Sequence, residues 1–89
     1  MKTRIKICGL TREEDVDAAV AAGADALGFV FYPPSPRYVS PRRAAELARR
    51  IPPFVDVVGL FVNEPPEAVH AACMALPISL LQFHGDEDA

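Results

Sequence analysis

The sequence has few of the features that mark secreted, membrane-spanning or nucleic-acid-binding proteins. Only two of its 89 residues are cysteines, too few for a disulfide framework, so we expect free thiols and a cytoplasmic location. No apolar run approaches the roughly 18 residues of a transmembrane helix, and no long apolar stretch follows the charged N-terminus, as a signal peptide requires. The net charge of −3 argues against nucleic acid or an anionic membrane as a partner.

Motifs for metal ions and nucleotides are also missing. The two cysteines and two histidines do not stand at the spacing of metal ligands, so we expect no metal site. No glycine-rich phosphate loop of the Rossmann or P-loop type occurs in the sequence.

What is present is a regular alternation of apolar runs with amphipathic segments. Apolar residues make up 51% of the chain and charged residues 24%, which is typical of one folded domain. Four apolar runs predict strands, which end at Cys8, Phe31, Val62 and His84, and the near-continuous run 24–31 predicts a strand buried on both faces. Three segments with apolar residues at helical spacing separate these runs. The order β-α-β-α-β-α-β predicts parallel neighbouring strands, because the connections are short and such crossovers are right-handed.

Local signals define the ends of the predicted helices. Thr11 stands three residues before Glu14, which predicts a capping box at the first helix. Gly23 is expected to end that helix. Ser40 followed by Pro41 predicts an N-cap and a first-turn proline for the second helix.

Several reactive or charged side chains are interpreted as structural. Cys73 lies on the apolar stripe of the third helix, so we expect it to be buried in the core. His70 lies off that stripe and is expected to be exposed. Arg42 and Arg43 are interpreted as a solvated face of the second helix, and the acidic residues 86–88 as a solvated segment.

Functional sites of parallel α/β proteins gather at the carboxyl ends of the strands. Cys8 ends the first strand just before a helix N-terminus, whose positive potential favours a thiolate, and a thiolate can act as a base. Strand alternation places Lys6 on the same face as Cys8, where its charge would favour the thiolate further. The alternative for Cys8 is a small buried apolar residue.

Other polar side chains are predicted at the same edge. Arg37 lies in a proline-stiffened loop, where its guanidinium could bind a carboxylate or a phosphate, or could simply be solvated. His84 ends the fourth strand, where it could contact a substrate or bond the turn that follows. Asn63 ends the third strand. Parallel topology predicts that Cys8, Arg37 and His84 face one pocket.

Five stretches of the sequence resemble, in order, the phosphoribosylanthranilate isomerase family of tryptophan biosynthesis. They are KICGLT at 6–11, ALGFVF at 26–31, SPRYVSP at 35–41, VGLFVN at 58–63 and LQFHGDE at 81–87, where the family more often has leucine at position 83. The resemblance implies an α/β fold of the (βα)8 TIM-barrel class. Residues 1–89 would form the N-terminal half of a single barrel domain, covering β1-α1-β2-α2-β3-α3-β4.

The resemblance also implies a reaction. The family converts N-(5-phosphoribosyl)anthranilate to 1-(2-carboxyphenylamino)-1-deoxyribulose 5-phosphate by an Amadori rearrangement, an aldose–ketose isomerisation without a cofactor. In that reaction Cys8 corresponds to the general base that removes the C2 proton. Arg37 corresponds to the arginine that faces the anthranilate moiety, and His84 to a rim histidine with a supporting role at the substrate. In the family the acid aspartate comes from a later strand and the phosphate site lies in the last βα loops, so we expect these 89 residues alone to be inactive.

Two other functions remain open from the sequence. One is another sugar-phosphate barrel enzyme, such as an epimerase or the tryptophan synthase α subunit, although these lack a strand-end Cys-Gly-Leu-Thr followed by a Ser-Pro-Arg-Tyr loop. The other is a non-catalytic half-barrel that acts by association. The fourth strand has no following helix and the sheet has two open edges, so the chain looks cut off. We expect its partner to be the remaining half of the barrel or a further copy in an oligomer.

Overall fold

The computed structural model describes residues 4–84, the side chain of His84 excepted, and its strands form one parallel sheet. The elements are β1 (Lys6–Cys8), α1 (Glu13–Ala21), β2 (Ala26–Val30), α2 (Pro41–Ala48), β3 (Asp56–Val62), α3 (Pro66–Ala75) and β4 (Leu80–His84). The strand order is β1-β2-β3-β4, and each neighbouring pair is parallel. The predicted element order and strand direction are confirmed. The acidic residues 86–88 lie outside the described part of the chain.

The hydrophobic core lies between the sheet and the helices. Its largest fully buried side chains are those of Val16, Leu27, Phe29, Leu47 and Phe61. Every residue of β2 is buried, as its continuous apolar run predicted for an inner strand of a parallel sheet. Phe61 also stacks on Phe31 and Phe83, with ring centroids 5.3 Å and 5.8 Å apart. The side of the sheet that faces the helices therefore forms the hydrophobic core. Functional side chains are expected on the opposite side.

The start of α1 differs from its prediction. The N-cap residue is Arg12, which makes no side-chain capping bond, so the capping box of Thr11 and Glu14 is wrong. Charge stabilises this end instead. Three acidic residues, 13–15, occupy the first turn, where they favour the positive end of the helix dipole.

The end of α1 and the start of α2 follow the sequence signals. Gly23 has a φ of +88°, and its N–H donates to the carbonyl of Val20 at 3.1 Å. This left-handed glycine ends the helix, as predicted. At α2 the Ser40 hydroxyl accepts a hydrogen bond from the Arg43 N–H at 3.1 Å, and Pro41 occupies the first turn. Both predicted end signals are thus confirmed.

Arg43 joins α1 to α2. Its two terminal nitrogens donate to the two carboxylate oxygens of Glu13 at 2.7 and 3.0 Å, and one also donates to Glu46 at 3.2 Å. The interpretation of Arg43 as a solvated residue is therefore wrong, because it pairs across the two helices and is half-buried. Arg42 is exposed, as expected.

We expect the Glu13–Arg43 pair to give the folded chain a pH-dependent stability. The hydrogen bond from Arg43 lowers the pKa of Glu13 from 4.5 to about 2, so the unfolded chain binds the proton more tightly than the folded chain does. The contribution of the pair to the free energy of unfolding is therefore full above pH 4.5 and is lost as the pH falls towards 2. Urea unfolding of the chain and of Glu13→Gln should give midpoints that differ most above that window and converge at its acid end. A difference that is constant with pH would contradict this prediction.

Candidate functional site

The carboxyl ends of the four strands form one edge of the sheet. Cys8 is the last residue of β1, and His84 is the last residue of β4 and pairs with Val62. Arg37 lies in the loop between β2 and α2. Asn63 follows β3 with a positive φ of 50°, a conformation that asparagine tolerates better than most residues. The predicted positions thus lie at one edge, while a common pocket stays a prediction, because the His84 side chain is not described.

The Cys8 side chain lies on the face of the sheet opposite the helices, the inner face. Ile7 packs against the core, whereas Lys6 and Cys8 are exposed. The strand therefore alternates as its sequence predicted. The thiol is free and exposed among the described residues, whereas the alternative expected a small buried apolar residue.

Lys6 connects the two edge strands across the inner face. Its Nζ atom donates to Oε1 of Gln82 at 2.6 Å, although β1 and β4 stand at opposite ends of the strand order. Only a strongly curled sheet brings such side chains into contact, as in the arc of a barrel. Gln82 is a neighbour that the sequence pattern did not predict. Its position, two residues before His84 on the same strand, placed it on the inner face, but only the curl brings it to Lys6.

The Arg37 side chain lies across the residue that follows Cys8. A Cβ atom at Gly9 would lie 2.5 Å from Cδ of Arg37 and 3.3 Å from its Nε. The aliphatic stem therefore rests on bare backbone, and Gly9 also has a φ of +84°, which favours glycine. The backbone N–H of Arg37 donates to the Ser35 hydroxyl at 3.1 Å. The Arg37 guanidinium and the Cys8 thiol thus belong to the same edge of the sheet. The guanidinium can bind an anionic group there, and the thiol can accept a proton beside it.

Cys73 is exposed, which corrects its predicted place in the core. The buried residues here are Ala72 of α3 and Leu76, which follows the helix as its C-cap. The predicted stripe is wider than the face that the described elements cover. Cys73 and Val69 line an open cavity of about 410 Å³ that extends to Phe83. His70, at the same cavity, is exposed, as expected.

Within residues 4–84, no group of three or more histidine, cysteine, aspartate or glutamate side chains could hold a metal ion. No helix in this part of the chain is both long enough and apolar enough to span a bilayer.

The sequence matches a known family over most of its length. The model of the family described as N-(5'phosphoribosyl)anthranilate (PRA) isomerase matches residues 5–89. The N-(5'-phosphoribosyl)anthranilate isomerase of Dechloromonas aromatica is 88% identical over 89 residues, which are all of this chain and 43% of that protein. The chain therefore spans less than half the length of this relative.

Solved structures are similar over the same region. The phosphoribosylanthranilate isomerase of Thermotoga maritima has a TM-score of 0.93 and 47% identity, covering 98% of this chain and 42% of that one. A phosphoribosylanthranilate isomerase in complex with reduced 1-(o-carboxyphenylamino)-1-deoxyribulose 5-phosphate has a TM-score of 0.92 and 47% identity, covering 98% of this chain and 45% of that one. The mutually generated monomers of the dimeric Thermotoga maritima enzyme have a TM-score of 0.90 and 44% identity, covering 98% of this chain and 44% of that one. The fold is α/β, of the (βα)8 TIM-barrel class, with four strands and three helices described.

Proposed function

Because the chain belongs to the N-(5'-phosphoribosyl)anthranilate isomerase family, we propose that it forms the N-terminal half of one barrel domain with that activity. The chain spans 43% of the Dechloromonas relative, close to the share that four of the eight strands and three of the eight helices of such a barrel occupy. Its partners are then the remaining half of the barrel and N-(5-phosphoribosyl)anthranilate, in the cytoplasm. Oligomers of the whole enzyme, as in the dimeric Thermotoga maritima relative, fit this proposal.

The observation that carries the proposal is the position of the Arg37 side chain against Gly9, the residue that follows Cys8, at the carboxyl edge. The substrate bears an aromatic carboxylate at one end and a proton to be removed at carbon 2. A thiolate at Cys8 is suited to accept that proton, since the thiol is exposed on the inner face. A guanidinium seated on the next residue, Gly9, can receive the carboxylate with two parallel hydrogen bonds.

The proposed reaction balances within the substrate. After ring opening, carbon 1 is an iminium carbon bonded to the anthranilate nitrogen. Cys8 takes the proton from carbon 2, the electron pair of that bond forms the carbon 1–carbon 2 double bond of an enolamine, and the π pair of the iminium bond moves to the nitrogen. Return of a proton to carbon 1 and loss of the hydroxyl proton at carbon 2 leave the aminoketose. Carbon 2 is oxidised and carbon 1 reduced, so the step uses no external oxidant or cofactor.

The remaining groups divide between this chain and the rest of the barrel. We assign His84, at the end of β4, to a supporting contact with the substrate. The acid that opens the ring and the groups that bind the phosphate belong, in this proposal, to the second half of the barrel. The isolated 89-residue chain would then hold a base without its acid, and we expect it to be inactive.

Binding of the reduced product analogue tests the proposal. We define the chimaera as the Dechloromonas aromatica enzyme with residues 1–89 of this chain in place of its matching segment, which is 88% identical. Calorimetry should show that it binds reduced 1-(o-carboxyphenylamino)-1-deoxyribulose 5-phosphate, and that Arg37→Ala weakens binding by about 10–150-fold, the value of a charged hydrogen-bond pair. Arg37→Lys should restore only part of the loss, because one ammonium does not reproduce the planar fork.

Arg42→Ala provides the matched control, since Arg42 is an exposed arginine of α2. It should bind the analogue as the unmodified chimaera does. Equal affinities for Arg37, Arg37→Lys and Arg37→Ala would remove the carboxylate contact from the proposal. A folded chimaera that binds no analogue would overturn the substrate class itself.

A further inference from the structure

Gly28 lies directly beside the Cys8 thiol. In the parallel pair of β1 and β2, Cys8 stands opposite Gly28. A Cβ atom at Gly28 would lie 2.8 Å from Sγ of Cys8 and 3.4 Å from both its Cα and its Cβ. Non-bonded heavy atoms are most stable about 3.5–4.0 Å apart, so the thiol occupies the space that any side chain at position 28 would need.

The backbone of β2 gives no reason of its own for a glycine at position 28. Among the described residues, the glycines with positive φ are Gly9 and Gly23, so Gly28 has a conformation open to any residue. It stands in the middle of a fully buried strand, where glycine weakens the strand and larger side chains pack better. The position of the Cys8 sulfur atom explains why residue 28 is a glycine, because a side chain there would overlap with it.

We propose that Gly28 is a positioning residue for Cys8: its bare backbone admits the sulfur atom over β2 and so fixes where the base stands on the inner face. This inference deepens the proposed function and rests on it for its kinetic consequence. A methyl group at position 28 forces Sγ to another staggered position about χ1. The sheet can stay intact, because the sulfur is the end of a short side chain and is free to rotate.

The expected consequence is a defect in proton transfer rather than in substrate binding. Proton abstraction needs the base within hydrogen-bond distance of the carbon-bound proton. A displacement of about 1 Å costs up to about 100-fold in rate. Gly28→Ala in the chimaera should therefore lower kcat by about 10–100-fold and leave KM within about twofold.

Gly59 provides a matched control within the same sheet. It is also a buried glycine in a central strand, but a Cβ there would meet Phe61, Ile78 and Phe31 at 3.1–3.3 Å on the helical side. Gly59→Ala should crowd the core, lower the urea midpoint and keep kcat. Gly28→Ala should do the reverse, keeping the midpoint and lowering kcat. A merely structural role for Gly28 predicts that both variants behave alike.

A crystal structure of Gly28→Ala in the chimaera separates this inference from the proposed function. The expected result is Sγ of Cys8 in a different rotamer on an unchanged backbone. If the unmodified chimaera has no turnover, the proposed function fails while the sulfur position still tests the contact. Sγ in its original place, or an unchanged kcat in an active chimaera, would overturn the inference.

A double variant covers the case in which Gly28→Ala does not fold. Cys8→Ala removes the sulfur atom and leaves contacts of 3.4 Å with the rest of residue 8. Cys8→Ala combined with Gly28→Ala should then fold with the urea midpoint of Cys8→Ala alone. Failure of the double variant to fold would show that another contact requires Gly28, and would overturn the inference.

Discussion

Replacement of Cys8 by serine in the chimaera is expected to lower kcat by about 10²–10⁴-fold with little change in KM. A serine hydroxyl does not ionise near neutral pH, so it can form a hydrogen bond but cannot serve as a comparable base. The change is nearly isosteric, so the fold should be retained. Steady-state kinetics with N-(5-phosphoribosyl)anthranilate measure both constants.

Cys73→Ser is the matched control for that experiment. Cys73 is also free and exposed, but it lies on α3 in the cavity beside Phe83 and not at the end of β1. It should keep both kinetic constants within about twofold, because its side chain lies on α3 and away from the end of β1 that carries the base. Cys8→Ser with the kcat of the unmodified chimaera, or an equal loss in Cys73→Ser, would show that Cys8 is not the base.

The sequence predicts the order of elements and the face of each strand because both depend on local periodicity. The apolar run before Phe31 indicates a strand buried on both faces, and all of β2 is buried. The alternation of Lys6, Ile7 and Cys8 places the thiol on the inner face, where it is found. The carboxyl ends of parallel strands lie at one edge of the sheet, so this location can be predicted from the order of the strands before any tertiary contact is known.

Predictions fail where the outcome depends on residues far away in the chain. Helical spacing shows that Cys73 shares a stripe with Leu76, but not which part of that stripe a neighbour covers. Arg43 is paired with Glu13, 30 residues earlier, which no local pattern indicates. The capping-box prediction at Thr11 and Glu14 was also wrong because of a contact with a distant residue. Gly9 and Leu10 both donate to the carbonyl of Gly28, and helical structure begins only after Arg12.

The finer geometry of the site lies beyond sequence patterns for the same reason. The contact of Gly28 with Cys8 depends on strand register, and that of Lys6 with Gln82 on the curl of the sheet. Arg37 reaches Gly9 through a loop whose path is not periodic. One signal was available for Gly28, namely a glycine in the middle of an otherwise large apolar run.

Turnover of N-(5-phosphoribosyl)anthranilate, followed by its fluorescence, tests most directly whether this chain is half of an isomerase barrel. The chimaera should work within about tenfold of the Dechloromonas enzyme, a loss of no more than about 1.4 kcal/mol in transition-state stabilisation. The 89-residue chain alone and the remaining segment alone should show no turnover, because the base and the acid are then on separate molecules. Turnover by the isolated chain, or none by a folded chimaera, would contradict the proposed function.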